Sequence, residues 1–230
     1  MTGTQPQLAG NVSNSNERIE KENRKIFDAH GVFAINLMGS PGSGRTQLIL
    51  RTVQGLSREI RIGVVEGSST SDRLDSEQVL ESGVPVTDVN TGGTGSVDAT
   101  MLSRAIVKLP LRELDLVLVE NVGGLILPAF PRLGTHANVV VASVPEGDEK
   151  PYRYPGIYSW ADVVILNKTD LLQFVPFDLS VFRRGVQRVN PAAPVFPLSA
   201  YTGGDVHRWF DWLLEQCAVP KKPAVLSQTS

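Results

Sequence analysis

An α/β fold with a mostly parallel, doubly wound sheet flanked by helices is predicted by two features of the sequence. Short, almost wholly apolar segments alternate with helical ones, and the first apolar segment runs straight into a glycine-rich turn. Continuous apolar runs suit parallel strands, because helices cover both faces of such a sheet. Strands are expected near 32–38, 62–65, 114–119, 138–142, 163–166 and 195–198. Helices are expected over 17–29, 46–56, 75–82, 98–109, 179–188 and 206–216, the first of them charged, with Ile19, Ile26 and Phe27 as its apolar contacts.

At 230 residues the chain has room for one such domain with a full core. The domain is expected over 17–217. Residues 1–16, rich in Gly, Ser, Asn, Gln and Thr without apolar periodicity, read as a flexible arm, and 218–230 as a flexible tail. A hydrophobic share of 41%, a charged share of 20% and a formal net charge of -2 argue against a broad nucleic-acid-binding surface. Apolar runs such as 116–119 and 139–142 fall far short of the roughly 20 residues that cross a bilayer. The polar start has no apolar signal-peptide core, and a single cysteine cannot form an internal disulfide, so a cytoplasmic location is the expectation.

The turn after the first strand reads Gly39-Ser40-Pro41-Gly42-Ser43-Gly44-Arg45-Thr46, the spacing of a P-loop with Arg45 where lysine is expected. Glycines let the backbone curl so that successive N–H groups point at phosphate oxygens, and the following helix adds its positive N-terminus. Thr46 would place its hydroxyl on Mg²⁺. Arg45 keeps the positive charge, but its planar fork cannot occupy the compact position of an ammonium group. Backbone amides still hold the phosphates, whereas a misplaced transition-state donor costs on the order of 10²- to 10³-fold in rate. Slow hydrolysis is therefore expected.

The apolar segment 163–166 ends in Asn167-Lys168-Thr169-Asp170, the Asn-Lys-x-Asp arrangement with which P-loop GTPases read guanine. The Asp170 carboxylate can accept both N1–H and the exocyclic amine of guanine, while adenine would present an acceptor there. Asn167 would brace the pocket and the stem of Lys168 would cover a face of the base. Ser199-Ala200, followed by Thr202-Gly203, closes a further strand at the place where such proteins set a backbone N–H against the guanine oxygen.

With these motifs the chain resembles the HypB family of hydrogenase maturation factors, whose relatives include the urease accessory GTPases. The resemblance spans 16–216 and is carried by Asn36-Leu37-Met38 and the loop behind it, Val65-Glu66-Gly67, Val89-Asn90-Thr91-Gly92, Glu120-Asn121-Val122-Gly123, Glu146-Gly147-Asp148-Glu149-Lys150-Pro151 and Asn167-Lys168-Thr169-Asp170. It implies GTP and GDP as ligands, Glu120 at the metal-side acidic position with Thr46, Gly123 as the γ-phosphate-sensing glycine, and a nucleotide-promoted homodimer that shifts nickel affinity. It also implies a zinc-containing maturation partner and the hydrogenase large subunit as contacts.

The chain departs from that pattern in several places. The family's aspartate after the Glu-Gly pair, which helps arrange Mg²⁺ and water, is Ser68 here, and a hydroxyl brings no negative charge to a divalent cation. Asp72 and Asp75 are candidate substitutes or solvated helix-start residues. Matching on Val97-Asp98-Ala99 sets Gly95 and Ser96 where the family has a metal-binding Cys-His pair, and Leu127 where it has a further cysteine. No Cys or His precedes His30. Cys217, His30, His136 and His207 lack ligand spacing and read as packing, surface or helix-end residues, so no nickel or zinc ligands are identified. Two readings follow: a guanine-nucleotide-binding accessory protein with weak hydrolysis, or a pseudo-GTPase scaffold that docks on a partner or an intact relative. An ATP-using enzyme is disfavoured by Asp170.

Overall fold

A computed structural model describes residues 6–68, 79–92, 96–121 and 132–219. The first helix, α1 (Pro6–His30), starts well before the expected residue 17, so the backbone from Pro6 is helical where a loose arm was expected. Polar anchors fasten its C-terminal half to the domain. Asn23, fully buried, donates from Nδ2 to the carbonyls of Ala99 at 2.8 Å and Leu133 at 2.9 Å, and Arg24 Nε donates to Gly134 O at 3.0 Å. Gly134 has φ +84, and a Cβ there would stand 2.2 Å from Glu20 O, so only glycine allows this approach.

The remaining elements follow as β1 (Phe33–Met38), α2 (Arg45–Leu56), β2 (Ile62–Ser68), β3 (Val86–Asn90), α3 (Ala99–Ile106), β4 (Leu116–Glu120), β5 (Ala137–Ser143), α4 (Lys150–Arg153), α5 (Pro155–Ser159), β6 (Val163–Asn167), α6 (Leu179–Val189), β7 (Val195–Pro197) and α7 (His207–Ala218). Strand order is β3-β2-β4-β1-β5-β6-β7, with every pairing parallel. The doubly wound sheet is thus the one the apolar runs predict. β3 was not anticipated, and its Val-Thr-Asp-Val-Asn sequence explains why: it lies at an edge, buries only alternate residues and carries strand-disfavouring polar residues. The short helices α4 and α5 were also missed, since Pro151 is the second residue of one and Pro155 the first of the other. Of the expected helix at 75–82, residues 79–81 are helical and 82 is a turn, while 75–78, with Asp72, lie outside the described residues. The expected tail begins later, because α7 runs to Ala218; residues 220–230 lie outside the description.

The core divides by face. On one, Ile35, Leu37, Val64, Leu118, Val139 and Ile165 pack under α2 and α7. Opposite, Ala34, Val65, Val117 and Val119 meet Phe27 of α1 and Leu102, Ala105 and Ile106 of α3. Further along that face Val140, Ala142, Val164 and Leu166 meet Ile157, Tyr158, Phe182 and Val186. Because β1 lies between β4 and β5, the connections diverge at its C-terminal end and leave a crevice there, the usual binding position in open α/β sheets.

Tyr158 is fully buried and its hydroxyl finds no hydrogen-bond partner among the described residues; burial raises its pKa. A buried, unpaired hydroxyl costs more than it returns. Tyr158→Phe is expected to leave folding stability unchanged or raise it by about 1 kcal/mol, as read by urea unfolding; a loss of that size would mean the hydroxyl is paired.

Candidate functional site

The residues singled out in the sequence collect at the C-terminal ends of the central strands. Gly39 leaves β1, and a Cβ there would lie 2.3 Å from Val141 O of β5. Gly42 and Gly44 take φ +77 and +92, which bends the loop back onto α2. Ser43 N–H donates to Ser40 O at 3.1 Å. The N–H groups of Gly44, Arg45 and Thr46 have no acceptor among the described residues, so the first turn of α2 presents a set of donors backed by the helix dipole. This arrangement suits a phosphate group.

Arg45 points inward, beneath that loop. Its side chain is 6% exposed, and Nη1 donates to Gly39 O and, at 3.0 Å, to Asn121 O. Nε lies 3.6 Å from Glu120 Oε1, an ion-pair distance rather than a hydrogen bond. Thr46 Oγ1 donates to the same carboxylate oxygen at 2.9 Å. Burial lowers the pKa of the guanidinium and Glu120 opposes that shift. The hydroxyl and carboxylate are hard oxygen donors of the kind Mg²⁺ takes. The guanidinium beside them is a fixed positive charge against the same oxygen, so as arranged the set does not fit a divalent cation. Thr46 and Glu120, the expected metal pair, are hydrogen-bonded to each other in this arrangement.

The Asn167-Lys168-Thr169-Asp170 motif is clasped to the loop. Asn167 Nδ2 donates to Ser43 O at 3.0 Å, while its Oδ1 accepts from Lys168 N at 2.8 Å and Ala200 N at 3.0 Å. A Cβ on Gly44 would stand 2.4 Å from Asn167 Nδ2, so glycine at 44 permits the contact. Lys168, at φ +62, extends Nζ to Gly42 O at 2.7 Å. Ser199 Oγ donates to Asp170 Oδ1 at 2.5 Å and so orients the carboxylate. Within the stretch where a backbone N–H is expected to face a guanine oxygen, Ser199 N–H donates to Gly204 O at 2.9 Å and Ala200 N–H to Asn167 Oδ1 at 3.0 Å. Ser199 and Ala200 therefore position Asp170 and Asn167.

Three residues were missed in the sequence. Arg51 on α2 donates from Nε to Ala200 O at 2.8 Å and from Nη2 to Tyr201 O at 2.6 Å, bracing the 199–204 loop from below. Lys150 reaches Ser40 Oγ at 2.6 Å and pairs with Glu146; burial pushes its pKa down to about 8. Its position four residues after Glu146, in a run already singled out, was the available signal. Asn121 joins two regions: its carbonyl accepts from Arg45, and its Oδ1 accepts from Val97 N at 3.1 Å and Ser96 Oγ at 3.4 Å. The segment where the family carries metal ligands is thus tied to the phosphate loop through one residue, Asn121, by its carbonyl on one side and its side chain on the other.

Gly95, Gly123 and Leu127 lie outside the described residues, and of Ser68 only the strand backbone is described. Among the described residues no group of three or more His, Cys, Asp or Glu could hold a metal ion. Cys217 packs against the core. His136 differs from the expected surface residue: Ala34 N–H donates to its Nδ1 at 3.0 Å, and its Nε2 meets Asp28 Oδ1 at 2.8 Å.

The parallel sheet, the glycine loop capping α2 and the Asn167 clasp together define a P-loop nucleotide-binding domain of the GTPase fold. Comparison with known proteins places it further. The chain belongs to the CobW/HypB/UreG nucleotide-binding domain family, whose pattern matches residues 33–197. It is 38% identical over 205 residues to the hydrogenase maturation factor HypB of Azotobacter vinelandii, covering 89% of this chain and 67% of that protein. It is 37% identical to a probable HypB of Methanocaldococcus jannaschii, covering 85% of this chain and 88% of the other. The crystal structure of HypB from Archaeoglobus fulgidus superposes with a TM-score of 0.82 at 33% identity, covering 89% of this chain and 99% of that one. HypB from Helicobacter pylori in complex with nickel gives 0.82 at 29% identity, covering 94% and 99%.

Removing one member of a buried ion pair leaves the other without compensation. Arg45→Met is expected to cost about 3 kcal/mol of folding stability at neutral pH in urea unfolding; an unchanged midpoint would mean that Arg45 is not held against Glu120.

Proposed function

We propose that the chain is a guanine-nucleotide-binding accessory protein of hydrogenase maturation that hydrolyses GTP slowly. The observation that carries this reading is the clasp of Asn167 and Lys168 on the phosphate loop, with Asp170 held by Ser199 at the edge of the same crevice. The phosphate loop is thereby bonded directly to Asn167 and Lys168, and the carboxylate proposed to read guanine follows two residues on at Asp170. The HypB relatives supply the process, and the family's GTP/GDP ligands, homodimer and zinc-containing partner come with the reading. No helix among the described residues is long and apolar enough to cross a membrane, and a cytoplasmic setting is part of the proposal. If nickel passes through this protein, a partner supplies most of its ligands, since Gly95, Ser96 and Leu127 stand at the family's metal positions.

A second reading, a pseudo-GTPase scaffold, is favoured by one observation: the cation at position 45 is bonded to Gly39 O and Asn121 O rather than turned into the loop. Calorimetric titration with GDP, a non-hydrolysable GTP analogue and ATP separates the two. Micromolar binding of the guanine nucleotides, with ATP at least about thirtyfold weaker, is the expected result. Absence of binding would leave the scaffold, and equal binding of ATP would overturn the role given to Asp170. Asp170→Asn should weaken GDP binding by about tenfold or more, because one face of the amide repels the guanine N–H donors. Arg45→Lys should raise GTP turnover more than GTP affinity, the loop amides already holding the ground state; equal gains in both would contradict that division.

A further inference from the structure

We infer that Arg45 is a resident cation standing where a magnesium ion would otherwise draw its attraction, so that guanine nucleotide binds almost equally well with and without Mg²⁺. The inference rests on the guanine-nucleotide reading above and concerns the phosphate corner of the same site.

Its first ground is placement. Glu120 ends β4 and is 8% exposed; the guanidinium Nε is 3.6 Å from its Oε1, and Thr46 Oγ1 donates to that same atom at 2.9 Å. Among the described residues, the acidic side chain that meets the P-loop threonine is therefore already paired with a covalently attached cation. A metal ion bridging nucleotide phosphates to this corner would meet a neutral pair instead of a carboxylate.

The second ground is that Arg45 is anchored at more than one point. Its Nη1 also donates to Gly39 O and Asn121 O, so withdrawing the guanidinium would leave two buried carbonyls without that donor as well as breaking the ion pair. An ammonium group at this position lacks the fork that engages these carbonyls together with the carboxylate. Glu66, buried on β2 and in register with Glu120, faces the same layer, and two residues on, Ser68 supplies a neutral hydroxyl in the sequence. On this strand Glu66 supplies a second carboxylate to the layer, one strand away from the Arg45–Glu120 pair, while position 68 brings no further acidic residue.

The third ground is that phosphate binding does not need Arg45. The N–H groups of Gly44, Arg45 and Thr46 at the start of α2 remain available for the phosphates, and they act without a metal.

The test is calorimetric titration of GDP into the full chain at two settings, millimolar Mg²⁺ and excess EDTA, with Arg45→Lys alongside. The native chain is expected to show Kd values within about threefold of each other, whereas Arg45→Lys, whose shorter ammonium leaves Glu120 open to the metal, gains at least about a tenfold preference for Mg²⁺. Melting curves of both proteins without nucleotide establish that each is folded. GDP binding by the native chain that falls tenfold or more in EDTA would overturn the inference while leaving the guanine-nucleotide reading intact. A flat response in both proteins would also overturn it, because Arg45 would then not be the cause. No GDP binding at either setting would overturn the guanine-nucleotide reading and the inference with it.

Discussion

The phosphate corner of this protein is organised by one buried contact, the guanidinium of Arg45 held among Gly39 O, Asn121 O and the Glu120 carboxylate. Taking a guanidinium and a carboxylate out of water is costly unless each finds charge or hydrogen bonds in return. Here the returns come from three different elements: the end of β1, the end of β4 and the first turn of α2. The contact therefore sets the spacing of loop and strands as well as the charge of the site. It also explains how a phosphate loop survives the exchange of its lysine. The positive charge stays on α2 but turns into the sheet, and in the proposed function the binding of anions falls to backbone N–H groups and the helix dipole.

Around that corner the structure is a set of short polar ties between strand ends. Asn167 links β6 to the loop and to the 199–204 turn, Lys168 links it to Gly42, and Arg51 reaches from α2 to the carbonyls of Ala200 and Tyr201. On the opposite side Asn121 ties the end of β4 to Ser96 and Val97. Each tie satisfies backbone groups that the ends of parallel strands leave open. The same bonds that stabilise the crevice hold the phosphate-loop N–H groups and the Asp170 carboxylate, the groups proposed to bind nucleotide, in one place. A change in the Arg45 contact has a direct covalent and hydrogen-bonded route, through Asn121, to the segment where the family's metal ligands stand.

Much of this was legible in the sequence because parallel strands covered on both faces leave continuous apolar runs, and because glycine and Asn-Lys-x-Asp spacings have few other uses. β3 was not legible, since an edge strand reading Val-Thr-Asp-Val-Asn has neither a run nor a clean alternation. The start of α1 at Pro6 was not legible either: 1–16 lacks the apolar periodicity by which a helix is recognised. Arg45 could be named from its position, but its direction depends on Glu120 and Asn121, more than seventy residues away in sequence. Ser199 and Ala200 were placed correctly at a strand end, yet their hydrogen bonds go to Asp170 and Asn167. Pattern fixes which residues meet; the competition among donors and acceptors decides what each one does.

The most direct measurement of the central claim is a crystal structure of the full chain with GDP bound. The account predicts a β-phosphate held by the N–H groups of the loop and of the first turn of α2, with the Arg45 guanidinium still on Glu120, Gly39 O and Asn121 O. A guanidinium swung out onto the phosphates, with Glu120 released to a metal ion, would contradict it.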